Sequence, residues 1–243
     1  TSLLLVWLPG TTSYVLALAI GGLAFLVPTR FYRILVAGVA VGVGLVGPTG
    51  WDRDEWGNEL TILFFDTGQG DAVLVETPDG ARLLVDGGPV GFGADAGRRV
   101  LIPHFRRSAV GRIDLVAATH AHRDHVGGLE AVLADLHVGA VLHSGQRTAS
   151  PLVRAVERTA GRRNVPWVRV WAGSRIDLGS VVRLYVIAPV FVPSAREDPN
   201  RASLVFLLSY GPHRVLLTGD ADAYSEEFVV RRYEEMPSSD LVQ

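Results

Sequence analysis

The sequence predicts an α+β chain: two β-sheets packed together and covered by helices outside, preceded by an apolar helical hairpin. Three observations carry this. Strand-like runs between 60 and 85 follow one another through tight turns, whereas those from 113 onward are interleaved with helix-like runs. Meanders followed by strand–helix alternation fit a layered architecture with helices outside the sheets. Carboxylates and histidines recur directly after strand-like runs, where open α/β sheets place their ligands. Finally, the first 50 residues carry only two charges, Arg30 and Arg33.

Within that front segment, residues 3–8, 13–27 and 31–47 are apolar runs ended by Pro9, Pro28 and Pro48. A membrane-spanning helix needs about 20 apolar residues, about 17 at the short end. The third run reaches that length, and the second approaches it with residues 10–12. We expect a transmembrane helical hairpin over 1–50 that closes a larger membrane domain; a buried apolar hairpin is the other reading. Arg30 and Arg33 lie at the turn between the two longer runs. Positive residues in short loops favour the cytoplasmic side, which would put everything after Pro48 outside. The chain opens on Thr1 rather than Met, as a piece of a longer protein would. Residues 51–59 read as a charged linker, in which Trp51 and Trp56 suit either a membrane interface or a domain entry.

From residue 60 the pattern changes. Strands are expected at 60–65, 72–76 and 81–85, joined by a Gly-rich turn at 66–71 and by Pro78-Asp79-Gly80. Residues 97–107 read as a helix or loop bearing Arg98, Arg99, Arg106 and Arg107. Strand 113–119, helix 130–136, strand 138–142, helix 151–161 and strand 166–171 follow. A strand at 180–187 precedes a hairpin of 204–210 and 214–217 around Gly211-Pro212. A helix with a mixed-charge face is expected at 225–235.

Between strand 113–119 and helix 130–136 lies His120-Ala121-His122-Arg123-Asp124-His125. Imidazole nitrogens and carboxylate oxygens suit borderline and hard divalent cations such as zinc or manganese. Alternate positions on a turn can aim His120 and His122 at one ion. Asp124 and His125 can then face a second, about 3.5–4 Å away, as in two-metal hydrolytic sites. Two further carboxylates emerge after strands: Asp86 before Gly87-Gly88, and Asp220 in Thr218-Gly219-Asp220. Composition narrows the chemistry. The 243 residues include no Cys, which excludes disulfides, thiolate metal sites and cysteine nucleophiles. The formal net charge is −2, which argues neither for nor against nucleic acid, and all 23 basic residues are Arg.

These motifs resemble the metallo-β-lactamase superfamily, an αββα sandwich. FDTGQGDAVLVETPDG, LLVDGG, THAHRDHVGGL, NRASLVFLLSYG and LLTGDAD are similar, within it, to the C-terminal domain of the ComEC family of bacterial DNA-uptake proteins. The resemblance covers residues 60–243, and in that family the domain follows membrane helices. It implies one or two divalent ions, manganese or zinc. His120 and His122 match the ligands of the first ion, Asp124 and His125 those of the second, and Asp220 the carboxylate that bridges both. Asp86 matches the aspartate that braces the histidine loop through hydrogen bonds. Asp71, in Gly-Gln-Gly-Asp, lies at the rim as a bracing or structural residue.

Two departures stand out. Where the superfamily has another His before the strand leading to Gly-Asp, this chain has Asn200, a weaker ligand that tilts preference from zinc toward manganese or magnesium, or else a strand cap. The family's last His-bearing segment would begin about where this sequence stops. His104, His137, His143 and His213 read as structural. The implied function is a metal-dependent nuclease of a DNA-uptake membrane protein, with Asp124 and Asp220 as catalytic residues. Its substrate would be single-stranded DNA, the strand that is not taken up. Its setting would be the extracytoplasmic side of the bacterial inner membrane, among other uptake components. Arg123 and Ser203 are candidates for substrate contact, and Arg98, Arg99, Arg106, Arg107, Arg162 and Arg163 for tracking a phosphate backbone. The alternatives are a non-catalytic DNA-guiding domain and a metallohydrolase of another substrate class.

Overall fold

The computed structural model describes residues 59–91, 94–191, 194 and 196–234. The expected membrane hairpin and nearly all of the linker lie outside these residues. Among the described residues, no helix is long and apolar enough to cross a membrane.

Strands β1 (Thr61–Phe64), β2 (Val73–Glu76) and β3 (Arg82–Val85) form the antiparallel meander that the tight turns require. A small ribbon of β4 (Val90–Gly91) and β5 (Ala94–Asp95) follows. A π-helical turn, Gly97–Leu101, then runs into α1 (Ile102–Arg107). Strand β6 (Arg112–Ala118) lies parallel to β3, with Leu83 opposite Leu115. Helices α2 (Arg123–Val126) and α3 (Leu129–Asp135) lead to β7 (His137–His143), parallel to β6. Helix α4 (Pro151–Arg162) leads to β8 (Trp167–Arg169), parallel to β7. The first sheet thus has six strands in the order β1-β2-β3-β6-β7-β8. The second is antiparallel, β12-β11-β10-β9, from β9 (Arg175–Leu178), β10 (Val182–Ala188), β11 (Val205–Tyr210) and β12 (His213–Leu217). Helix α5 (Ala223–Glu234) follows.

The period-two alternation of side chains across a strand sorts the apolar residues into layers. Leu74, Leu84, Val116 and Val141 of the first sheet pack with Phe105, Leu129, Val132, Leu133 and Val156 from the helices. Their neighbours Val73, Val75, Leu83, Val85, Ala117 and Leu142 pack instead with Leu184, Val186, Phe206 and Leu208 of the second sheet. On that sheet's far side, Ile187, Ala188 and Val205 meet Val229 of α5. The order helix–sheet–sheet–helix follows. Phe105 and Phe206 are fully buried, one in each main layer, and each contributes about 1.5–3 kcal/mol through burial alone.

Strand β9 and the β4–β5 ribbon were not expected from the sequence. The β9 residues do alternate, with Leu178 buried between exposed neighbours, but the run is four residues long and carries Arg175 and Asp177. Pairing with β10 supplies its stability, Val182 opposite Leu178 and Leu184 opposite Ile176. The start of α4 was legible for a local reason. Pro151 occupies the first turn, and the Ser150 side chain accepts a hydrogen bond from the Val153 N–H.

Candidate metal centre

Parallel strands end at the same sheet edge, so β3, β6 and β7 deliver Asp86, His120 and His143 to one side. The second sheet is tied to this edge where the Leu204 N–H donates to the Thr119 carbonyl, 3.1 Å. Past β12, Gly219 lies against Thr119 (an added Cβ would stand 3.4 Å from it), which carries Asp220 to the histidine loop.

Asp86 is the buried hub. Its backbone is left-handed, φ +58°, a region few non-glycine residues adopt and in which Asp is enriched. Its carboxylate accepts from the Thr119 N–H at 2.9 Å and from the Thr119 hydroxyl at 2.6 Å. His125 Nδ1 lies 2.9 Å from the same carboxylate. The backbone closes the arrangement: the Gly87 N–H donates to the His125 carbonyl at 2.7 Å, and the Gly128 N–H to the Gly88 carbonyl at 3.1 Å. This close approach explains the paired glycines, since a Cβ on Gly128 would stand 2.1 Å from the Gly87 carbonyl oxygen.

The imidazoles differ sharply in electrostatics. Burial holds His120 down at about 4, with the nearby His125 adding to the effect. It is therefore neutral at pH 7, the form that ligates metal. Burial also pulls His125 down, but the hydrogen bond and charge of Asp86, with Asp220 and Asp71, outweigh this and push it to about 9. His125 Nε2 points at Asp220, 3.3 Å away. His120 Nε2 lies 3.0 Å from His122 Nδ1. The Asp71 carboxyl is raised by burial, with Asp220, Asp86 and Asp124 adding to the rise and His125 opposing it.

Three groups of side chains bring ligand atoms within 4.8 Å of one another: Asp86, His120 and His125; His120, His122 and Asp220; and Asp71, His125 and Asp220. In the first, Asp86 is already committed to Thr119 and His125. The other two share Asp220 and aim two imidazole-bearing sets at the sheet edge. Asp124 belongs to none of these groups. It sits on α2, a single helical turn where the sequence reading had only a turn, and its backbone packs against Gly70. Asp71, read from the sequence as a rim residue, is exposed, and its carboxylate lies within 4.8 Å of the His125 and Asp220 ligand atoms.

Asn200 lies within the short 3-10 turn Pro199–Ala202 and Ser203 ends it, just before the Leu204–Thr119 bond. Asn200 Oδ1 and Ser203 Oγ are buried without a hydrogen-bond partner among the described residues. A buried polar atom left unpaired is costly, so two orphaned oxygens in the segment that leads to the Leu204–Thr119 bond fit a site built to receive a ligand. Together with the mixed imidazole and carboxylate donors, they make the residues present compatible with a divalent cation. Arg123 is exposed, and its guanidinium reaches the β4–β5 ribbon, where a Cβ on Gly91 would stand 3.4 Å from Nη1.

A cavity of about 410 Å³ opens beside His120, lined among others by Gln146, Arg154, His143 and Trp167. The last two rings stack, with centroids 4.9 Å apart. Burial and the nearby Arg169 lower His143 to about 4. The sequence reading took His143 as structural. The register adds that His143 pairs with Ala118, the last residue of β6, and so ends at the same edge as His120.

A family model described as the Metallo-beta-lactamase superfamily matches residues 65–241. ComE operon protein 3 of Bacillus subtilis (strain 168) is 26% identical over 185 residues, 71% of this chain and 24% of that protein. Competence protein ComA of Neisseria gonorrhoeae is 30% identical over 178 residues, 72% of this chain and 22% of that protein. The chain thus spans about a quarter of the length of these relatives. Among solved structures, CmlA, a diiron β-hydroxylase from Streptomyces venezuelae, superposes with a TM-score of 0.47 at 21% identity, covering 73% of this chain and 33% of that one.

Proposed function

This chain belongs to the metallo-beta-lactamase superfamily, and from that premise we propose that residues 60–243 form a metal-dependent phosphodiesterase of a DNA-uptake protein, cutting single-stranded DNA. The observation that carries the proposal is the sharing of Asp220 by two three-donor groups, one with His120 and His122 and one with His125. A carboxylate placed between two donor sets is what a two-cation hydrolytic centre requires. Manganese or zinc held there would supply Lewis-acid polarisation of a phosphoryl oxygen and a water acidified toward neutrality.

The chain's own residues do the positioning. Asp86 fixes the ring of His125 through Nδ1 and leaves Nε2 facing Asp220. Such outer hydrogen bonds set the tautomer and orientation of a ligating histidine. Burial keeps His120 neutral and ready to ligate. Arg123, exposed on the turn after His122, offers a planar fork suited to a phosphate oxygen. The choice of DNA rests on the two competence proteins among the relatives, as do a membrane setting and a place among other uptake components; the extracytoplasmic side rests on the positive charges Arg30 and Arg33 between the two apolar runs.

The test is cleavage of single-stranded DNA with Mn²⁺ or Zn²⁺, comparing the chain with His122→Ala and Asp220→Ala. We expect metal-dependent cutting that falls at least a hundredfold in both variants. Metal and DNA binding without cleavage by the unaltered chain would replace this reading with a DNA-guiding domain. That second reading is favoured by one feature, the amide Asn200 at a position where the family resemblance expects an imidazole.

A further inference from the structure

We propose that the cavity beside His120 is a subsite for one unpaired nucleobase, the base next to the phosphate that meets the metal centre. The inference rests on the single-strand reading above and names what the chain recognises in that strand. The cavity holds about 410 Å³ and is lined from the end of β7, the loop after it and α4. Small-ligand sites are clefts of about 300–1,000 Å³. It shares His120 with the metal centre, and a base is joined to its phosphate through a single sugar.

The wall suits a base in three ways. His143 and Trp167 line it as a stacked pair, their centroids 4.9 Å apart and their planes 29° apart, and aromatic rings receive unstacked bases. Gln146 supplies an acceptor. Its amide nitrogen donates to the Ser194 carbonyl at 3.4 Å, which leaves Oε1 buried and without a hydrogen-bond partner among the described residues. Such an oxygen is costly until a donor reaches it. Arg147 and Arg154 are exposed at the margin, against one carboxylate, Glu157, and favour the flanking phosphates.

The loop that carries Gln146 is pinned on both sides. The Gly145 N–H donates to His143 Nδ1 at 3.1 Å. Gly145 has φ +87°, and a Cβ there would stand 2.6 Å from Arg169 Cδ on β8. Glycine meets that conformation and that approach together. One fixed acceptor then reads strand state rather than sequence. Every base carries an N–H on its Watson–Crick edge, and in a duplex that N–H is already bonded to the opposite base. A base enters such a pocket only when it is out of its pair.

Fluorescence anisotropy in Mn²⁺ tests the subsite, with labelled strands whose phosphorothioate linkages resist cutting. The probes are oligothymidine, an abasic strand of the same length, and oligothymidine paired with oligoadenine. We expect the unaltered chain to bind the single base-bearing strand at least about tenfold more tightly than either of the others. Gln146→Met keeps the side chain's length and loses the acceptor. It should reduce the preference over the abasic strand at least about threefold and leave the abasic affinity unchanged. Matching circular-dichroism melts exclude misfolding of the variant. Equal binding of base-bearing and abasic strands, a duplex bound as tightly as the single strand, or a preference untouched by Gln146→Met would each overturn the subsite and leave metal-dependent cleavage standing. Base-dependent binding that Gln146→Met weakens, without cleavage of an unmodified strand, would support the subsite and overturn the nuclease. No binding of any strand would overturn both.

Discussion

Asp86 is the residue on which the site's rigidity depends. It is fully buried in a left-handed conformation and holds Thr119 and His125 at once. Removing its carboxylate strands a buried imidazole and two Thr119 donors. Asp86→Ala should lower stability by about 3 kcal/mol, read as a lower urea midpoint. His125 makes a pH prediction with a definite sign. Its folded value of about 9 lies above its ordinary 6.5, so the metal-free protein is stabilised below pH 6.5 and loses that contribution as pH rises toward 9. His120 and His143 are depressed to about 4, so their contribution is present above pH 6.5 and lost as pH falls toward 4. Thermal unfolding of the metal-free chain should therefore peak near pH 6.5, and Asp86→Asn should flatten the alkaline limb. A cation that takes His125 Nε2 must displace its proton, so Mn²⁺ affinity should rise about tenfold per pH unit between 7 and 9.

At the level of elements, the paired glycines at 87–88 and 127–128 let α3 begin against the Asp86 turn. Gly128→Ala would drive a Cβ to 2.1 Å from the Gly87 carbonyl oxygen. Overpacking of this kind costs about 1–3 kcal/mol, and because it pushes the loop off Asp86 it should weaken Mn²⁺ binding as well; calorimetry on the variant reads both. The elements themselves were largely legible. The meander was visible because Pro78-Asp79-Gly80 and alternating Val and Leu leave few alternatives, and α4 because Ser150-Pro151 caps it. Strand β9 was not, since four residues bearing Arg175 and Asp177 acquire strand character only by pairing with β10. The histidine loop was legible as a donor cluster. Which carboxylate faces which imidazole was not, because that depends on contacts between Gly70 and α2, more than 50 positions apart. Spacing within a hexapeptide pointed to Asp124 and could not show that long-range packing also brings Asp71 within reach of His125 and Asp220.

On the scale of the whole described region, two sheets converge on one edge, and that convergence makes the centre. Asp86, His120 and His143 come from parallel strand ends of the first sheet, while Asp220 and the Asn200–Ser203 turn come from the second. A cation bridging them would tie the layers together, so Mn²⁺ should raise the unfolding temperature. At a concentration 100 times the dissociation constant the gain is about 2.7 kcal/mol, and Asp220→Ala should abolish it. The most direct test of the shared carboxylate is anomalous diffraction from a crystal of this chain grown with Mn²⁺. Manganese peaks on both sides of Asp220, one beside His120 and His122 and the other beside His125, are the predicted result. Peaks elsewhere, with none against Asp220, would contradict it.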